Sequence, residues 1–249
     1  MYDMMMGLLG GLLIGVTLAL TGGGGSMVAM PALTVGLHLS LAQAAPVSLM
    51  IVGLSAIAGW WEAARKGQLA WSAIARFALV AMPALILARR VATHLPDAGL
   101  SAGFGLLALW IAARPPESRP GGPPITTARF FVIAAVTGMM AGLFGAGGGF
   151  LITPALALGA GMDLRTAIPN ALVVITAFGI FGILASAGQW SHTTWSAPVL
   201  LMLTVAVLTG WIGGRWRTRL APGIIRTLFQ LVVGAAGCIM LARALQNLL

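Results

Sequence analysis

The chain has 249 residues, 59% of them hydrophobic and 8% charged. Soluble domains carry about 25% charged residues, so this composition excludes a soluble globular domain and indicates a polytopic membrane protein. The net charge of +9 does not indicate nucleic-acid binding, because the Lys and Arg residues sit in short gaps between apolar runs, as topogenic charges do.

An apolar run over about residues 4–21 comes first. It lacks a basic leader region and a cleavage site, so it reads as part of the fold rather than a signal peptide. Four consecutive glycines, Gly22 to Gly25, interrupt it, and a short apolar run over 26–36 follows. Eleven residues at about 1.5 Å each reach about 16 Å, half of a roughly 30 Å hydrocarbon core. Three longer segments come next, at 45–62, 72–92 and 98–113. Pro46 is expected to open the first of these, its tolerated place in a helix, and Pro83 to kink the second. The Pro- and Gly-rich stretch from Arg114 to Thr127 cannot continue a helix and reads as a cytoplasmic linker. Beyond it the series repeats: an apolar run at 130–144, the cluster GAGGG at Gly145–Gly149, a short run to about 160, then segments at 168–187, 197–214 and 223–245. Pro169 stands where Pro46 does. The expected organisation is therefore a repeat over 1–113, a linker over 114–128 and a second repeat over 129–249.

The two halves are copies. Gly15–Pro46 aligned without gaps on Gly138–Pro169 gives identities at 12 of 32 positions. The identities include Gly15/Gly138, Gly22/Gly145, Gly24/Gly147, Gly25/Gly148, Pro31/Pro154, Gly36/Gly159 and Pro46/Pro169. Fixed spacing of two Gly clusters and two prolines is a signature of duplication.

Each Gly cluster either kinks a spanning helix or turns the chain back as a hairpin. Kinks give four passes per half and split the fourteen basic residues seven against seven between the two sides. Hairpins give three passes per half and leave only Arg89, Arg90 and Arg243 opposite the other eleven. The positive-inside rule favours the second arrangement. The expected fold is an all-α polytopic protein of two inverted repeats, each a re-entrant or broken-helix hairpin plus three transmembrane helices, with both termini outside the cytoplasm. The eight tryptophans fall near segment ends, where interfacial anchors belong.

A hairpin of this kind starts its return helix inside the membrane. The first turn of that helix has unpaired amides and a partial positive charge of about half an electron, and glycine lets a ligand approach the backbone. The candidate substrate-binding residues are accordingly Gly22, Gly23, Gly24, Gly25 and Ser26 in the first break, and Gly145, Gly147, Gly148 and Gly149 in the second. Ser55, Thr176 and Asn170 are added as polar groups at or near the helices flanking the breaks. Pro31, Pro154, Pro46 and Pro169 are given structural roles. No ionisable side chain is expected mid-span, so the inferred site is a neutral, dipole-lined one for a small anion. Close packing between helices is the competing use of such glycines. Cys238 lies alone in an apolar run, and His38, His94 and His192 are far apart, so neither a disulfide nor a metal site is expected. No nucleophile–base pair suggests an enzyme, and no cofactor is expected.

The segments GGGGSMVAMPAL from Gly22 and GAGGGFLITPALALG from Gly145 resemble the paired signatures of the TauE/SafE sulfite-exporter family. Gly145, Gly147, Gly148, Gly149 and Pro154 match that pattern, as do Gly22, Gly24, Gly25 and Pro31, while Ser26 replaces the last glycine of the first copy. The resemblance implies transport, usually export, of sulfite, sulfonates or related organic anions across the bacterial cytoplasmic (inner) membrane. Expected partners are the small anion, the lipid bilayer and a second copy of the chain. An anion channel and a non-transporting scaffold are the alternatives.

Overall fold

The computed structural model describes residues 1–113, 126–145, 148–186, 196–216 and 222–246. The first half contains α1 (Tyr2–Thr21), α2 (Gly24–Pro31), a π-helical turn (Ala32–Gly36), α3 (Leu41–Arg65), α4 (Trp71–Ala92) and α5 (Asp97–Ala113). The second contains α6 (Thr127–Phe144), α7 (Gly149–Gly159), α8 (Leu164–Ala185), α9 (Ala197–Trp216) and α10 (Pro222–Gln246). Most of the linker, residues 114–125, lies outside the described residues, as do Gly147, Trp190, Trp195 and His192.

Two helix starts differ from expectation. Pro46 and Pro169 do not open α3 and α8 but stand inside them, each as the sixth residue. The openings belong to the aligned residues Ser40 and Asp163. Ser40 Oγ accepts the Gln43 amide at 3.3 Å while Gln43 Oε1 accepts the Ser40 amide at 3.2 Å, a reciprocal cap. Asp163 Oδ1 accepts the Thr166 amide at 3.1 Å. These caps supply partners for first-turn amides, so the helices begin upstream of the prolines. Without an N–H, Pro46 gives no helical hydrogen bond to the carbonyl four residues earlier, that of Ala42.

Both glycine breaks reverse the chain. Gly25 lies against Ile14 and Leu18, Ala32 against Gly10, and Gly36 against Met6, so the return arm runs antiparallel to α1. In the second half Gly148 lies against Ala141 and Thr137, and Gly159 against the ring of Phe130. The outward arms are long. Among the described residues six helices are long and apolar enough to cross a membrane: α1, α3, α4, α6, and the stretches Thr166–Ala185 of α8 and Thr227–Gln246 of α10. The sequence analysis takes α3, α4, α5, α8, α9 and α10 as the full passes; by length, Asp97–Ala113 and Ala197–Gly213 are the shorter apolar helices among the described residues.

The halves interlock through small residues, which let backbones approach closely. α1 runs parallel to α9, with Gly7 on Pro198, Gly11 on Met202 and Val205, and Gly15 on Ala206. α4 runs parallel to α6, with Gly138 on Ala81 and Gly142 on Leu85. α3 and α8 cross antiparallel: Leu49 packs on Gly182, Gly53 on Gly179, and Gly59 on Leu172. α5 and α10 are antiparallel too, with Gly105 on Leu241 and Ala112 on Gly234. Exchanging the halves reproduces the pattern. The first helix of each half lies along the fourth of the other, while the third and fifth helices pair with their own counterparts.

Phe77, Phe104 and Phe178 are among the largest fully buried side chains. Phe77 meets Phe130 edge-on at 5.8 Å and Phe104 meets Phe144 at 5.7 Å, ring centre to ring centre. Outside, Leu79, Leu87, Leu106, Leu184 and Leu231 are exposed, the surface expected where lipid is the solvent.

Candidate functional site

The two glycine turns begin alike. Gly22 closes α1 with φ 70° and Gly145 closes α6 with φ 62°, both left-handed. Each donates its amide at 2.9 Å to a carbonyl of the helix it ends, Leu18 and Ala141 respectively. This conformation is open to glycine and strained for side chains with a Cβ. A second left-handed glycine, Gly148 at φ 59°, starts α7.

In the first turn the return amides are already engaged. Thr21 Oγ1 accepts the Gly24 amide at 2.7 Å and the Gly23 amide at 3.4 Å, and donates to the Thr17 carbonyl at 2.7 Å. The sequence reading passed over Thr21, although a hydroxyl residue directly before a glycine turn is a local capping signal. Ser26 is buried and its hydroxyl donates to the Gly23 carbonyl at 2.7 Å. Its counterpart Gly149 supplies backbone alone.

The turns meet. A Cβ on Gly149 would fall 2.9 Å from the Cα of Gly23, and one on Gly23 would overlap the Gly149 carbonyl. Thr153 Oγ1 donates across the junction to the Gly22 carbonyl at 3.3 Å. Around this contact the supports correspond: Gly22 rests on Ile168 of α8, and Gly145 on Ala45 of α3, residues that are aligned in the two halves. Gly22 and Gly23 thus meet Thr153 and Gly149 across the junction, while Gly24 and Gly25 pack on α1 and Gly145 and Gly148 on α3, α6 and α8.

The remaining sequence-derived candidates are held elsewhere. Ser55 donates to the Ile51 carbonyl of its own helix at 2.7 Å. Thr176 accepts the Trp60 indole N–H at 3.0 Å and donates towards the Leu172 and Gly53 carbonyls at 3.0 and 3.3 Å. Asn170 accepts the Ala70 amide through Oδ1 and donates through Nδ2 to the Thr166 carbonyl, each at 2.7 Å. These bonds tie α3, α8 and the loop before α4 together. Pro31 ends α2, where the helix passes into the π-turn closed by the Leu37 amide on the Ala32 carbonyl at 3.1 Å. Pro154 lies inside α7.

One charged residue departs from the sequence reading. Arg89, counted there as a topogenic charge, is 3% exposed, whereas the adjacent Arg90 is exposed. Arg89 Nε donates to Ser186 Oγ and Nη2 to the Ala42 carbonyl, both at 3.2 Å. The second acceptor is the carbonyl that Pro46 leaves unused. Arg89 lines a cavity of about 40 Å³ whose walls include Ala42, Ala45, Asp97, Leu143 and Phe144. Asp97 accepts the Leu41 amide at 3.3 Å, and Arg243 donates to the Leu39 carbonyl at 3.0 Å at the same end of the bundle. Among the described residues no group of three or more His, Cys, Asp or Glu could hold a metal ion.

The sulfite exporter TauE/SafE family model matches residues 7–240. A probable membrane transporter protein of Xylella fastidiosa (strain Temecula1) is 29% identical over 252 residues, covering 95% of this chain and 94% of that protein. A probable membrane transporter protein of Methanocaldococcus jannaschii is 22% identical over 248 residues, covering 93% and 92%. No solved structure is a significant match. With its duplicated glycine turns, six long apolar helices among the described residues and a family match along almost its whole length, the chain is a multi-pass inner-membrane protein that belongs to the TauE/SafE family of membrane transporters.

Proposed function

We propose that this protein is a secondary transporter that exports a small sulfur-containing anion, sulfite or a sulfonate, by alternating access. Its halves act as inverted repeats, and the site is the junction of the two glycine turns, Gly22–Ser26 and Gly145–Gly149. The observation that carries this reading is the backbone contact of Gly23 with Gly149, at which α2 and α7 both begin. Two helix starts at one point supply a positive dipole field and close backbone approach without a fixed charge that would hold the anion. Broken helices at matching places in two repeats are the general pattern of such carrier sites. The antiparallel pairing of α3 with α8, and of α5 with α10, supports inversion of the repeats.

Gly23 rests directly on Gly149, so loading requires the turns to part. Ser26 belongs to the junction, while Ser55, Asn170 and Thr176 hold the helices around it. The full chain reconstituted in liposomes should show saturable counterflow of labelled sulfite or a sulfonate. Failure of every sulfur anion to exchange overturns the reading, and conductance without counterflow replaces it with a channel.

A further inference from the structure

We propose that Arg89 and the cavity beside it form a binding subsite for a small oxyanion, at the end of the bundle where α4 passes into α5. The choice of ligand rests on the anion-transport reading above. A buried water needs about 10–15 Å³ on a comparable measure, so 40 Å³ takes about three water-sized groups, the scale of a small oxyanion. The cavity borders the second glycine turn: Ala45 touches Gly145, and Phe144 precedes it. Its other walls include Thr93 and Leu95, both exposed.

The burial of Arg89 needs a cause. A topogenic arginine works in water or among headgroups, and Arg90 occupies that role. Ionisable residues buried within a membrane bundle are costly and mark ligand or ion paths. The guanidinium is planar, permanently charged and forked, which suits oxyanions. Its bonds to Ser186 and Ala42 fix its plane against the cavity wall.

A purely architectural clamp would be expected in both copies of the duplicated fold. It occurs in one. Ala81 and Ala206 are equivalent, each lying under one of the aligned glycines Gly138 and Gly15. That register places Gly214 opposite Arg89, and the residue aligned with Ser186 is Ala63. The Arg89–Ser186 pair is therefore not a product of the duplication. Asp97 shares the cavity, and its negative charge weakens the field of Arg89 there, which keeps a bound anion releasable.

The test uses the full-length protein in detergent, with sodium sulfite, sulfate or methanesulfonate titrated into a sodium gluconate background at constant ionic strength. Thermal stabilisation by the added anion is read. Wild type should be stabilised by at least one of the three. R89Q should raise the half-saturating concentration about tenfold or more, the loss of one charge-assisted hydrogen bond, and R89K should lie between. D97N should lower it several-fold by removing a like charge. Stabilisation of wild type by none of the three overturns the subsite, as does an unchanged midpoint in R89K and D97N. Those two variants decide the matter if R89Q does not fold. Liposome counterflow separates the two proposals. Exchange with KM unmoved by R89K and D97N leaves the transporter and removes the subsite; Arg89-dependent binding without exchange does the reverse.

Discussion

Gly23 and Gly149 touch through their backbones, with a Cβ on Gly149 falling 2.9 Å from the Gly23 Cα. No other residue type fits both places, and the contact joins the start of one return helix to the start of the other. Sequence repetition and tertiary packing converge at this point.

Substitution there should separate packing from helix propensity. Gly23→Ala forces a methyl into the Gly149 carbonyl and should cost about 1–3 kcal/mol, seen as a lower thermal midpoint in detergent together with lost counterflow. Gly99→Ala is the control. Its Cβ would meet only Pro96 Cγ at 3.7 Å, in the first turn of α5, so stability should hold or rise by about 0.5–1 kcal/mol.

Thr21 caps the first turn, so Thr21→Val should lower stability by about 1 kcal/mol while Thr21→Ser holds it. The same thermal measurement decides this. An unchanged midpoint in Thr21→Val means the Gly23 and Gly24 amides find another acceptor.

Trp60 and Thr176 join α3 to α8 through a 3.0 Å hydrogen bond. Thr176→Val leaves the indole N–H without that acceptor and should cost about 1–3 kcal/mol. In a double-mutant cycle with Trp60→Phe the two losses should be non-additive by at least about 0.5 kcal/mol. Strict additivity would mean the bond contributes nothing.

Orientation is testable by labelling. In a Cys238→Ala background, Gln68→Cys should react with an impermeant maleimide from the cytoplasmic side and His94→Cys from the opposite side. The prediction follows from the eleven-to-three charge asymmetry. Reaction of His94→Cys from the cytoplasm would invert the topology.

Much of the backbone course was legible in the sequence. The predicted run at 4–21 is α1 at Tyr2–Thr21, and 72–92 is α4 at Trp71–Ala92. Apolar composition and glycine punctuation are local, and they set where helices stop. The openings of α3 and α8 were misplaced because proline is a conspicuous signal and a capping serine or aspartate a quiet one. Ser40 and Asp163 nevertheless nucleate earlier, since partners for first-turn amides outweigh a proline that the early helix tolerates. Composition did not show how far each arm of a hairpin extends: α1, the outward arm of the first, is 20 residues long.

The sequence by itself determined that this is a duplicated, all-helical membrane protein whose chain breaks at Gly22 and Gly145. Left-handed backbone, missing proline amides and apolar length are properties of adjacent residues. Only the tertiary structure decided that Gly23 meets Gly149, that Thr153 reaches the Gly22 carbonyl 131 residues away, and that Arg89 is buried while Arg90 is not. Burial of Arg89 depends on Ser186, 97 residues distant, and on Ala42, 47 residues distant. An arginine at a helix end has the same local signature whether it faces water or a cavity. The difference is made by helices that pack over it, and that packing is a property of the whole chain.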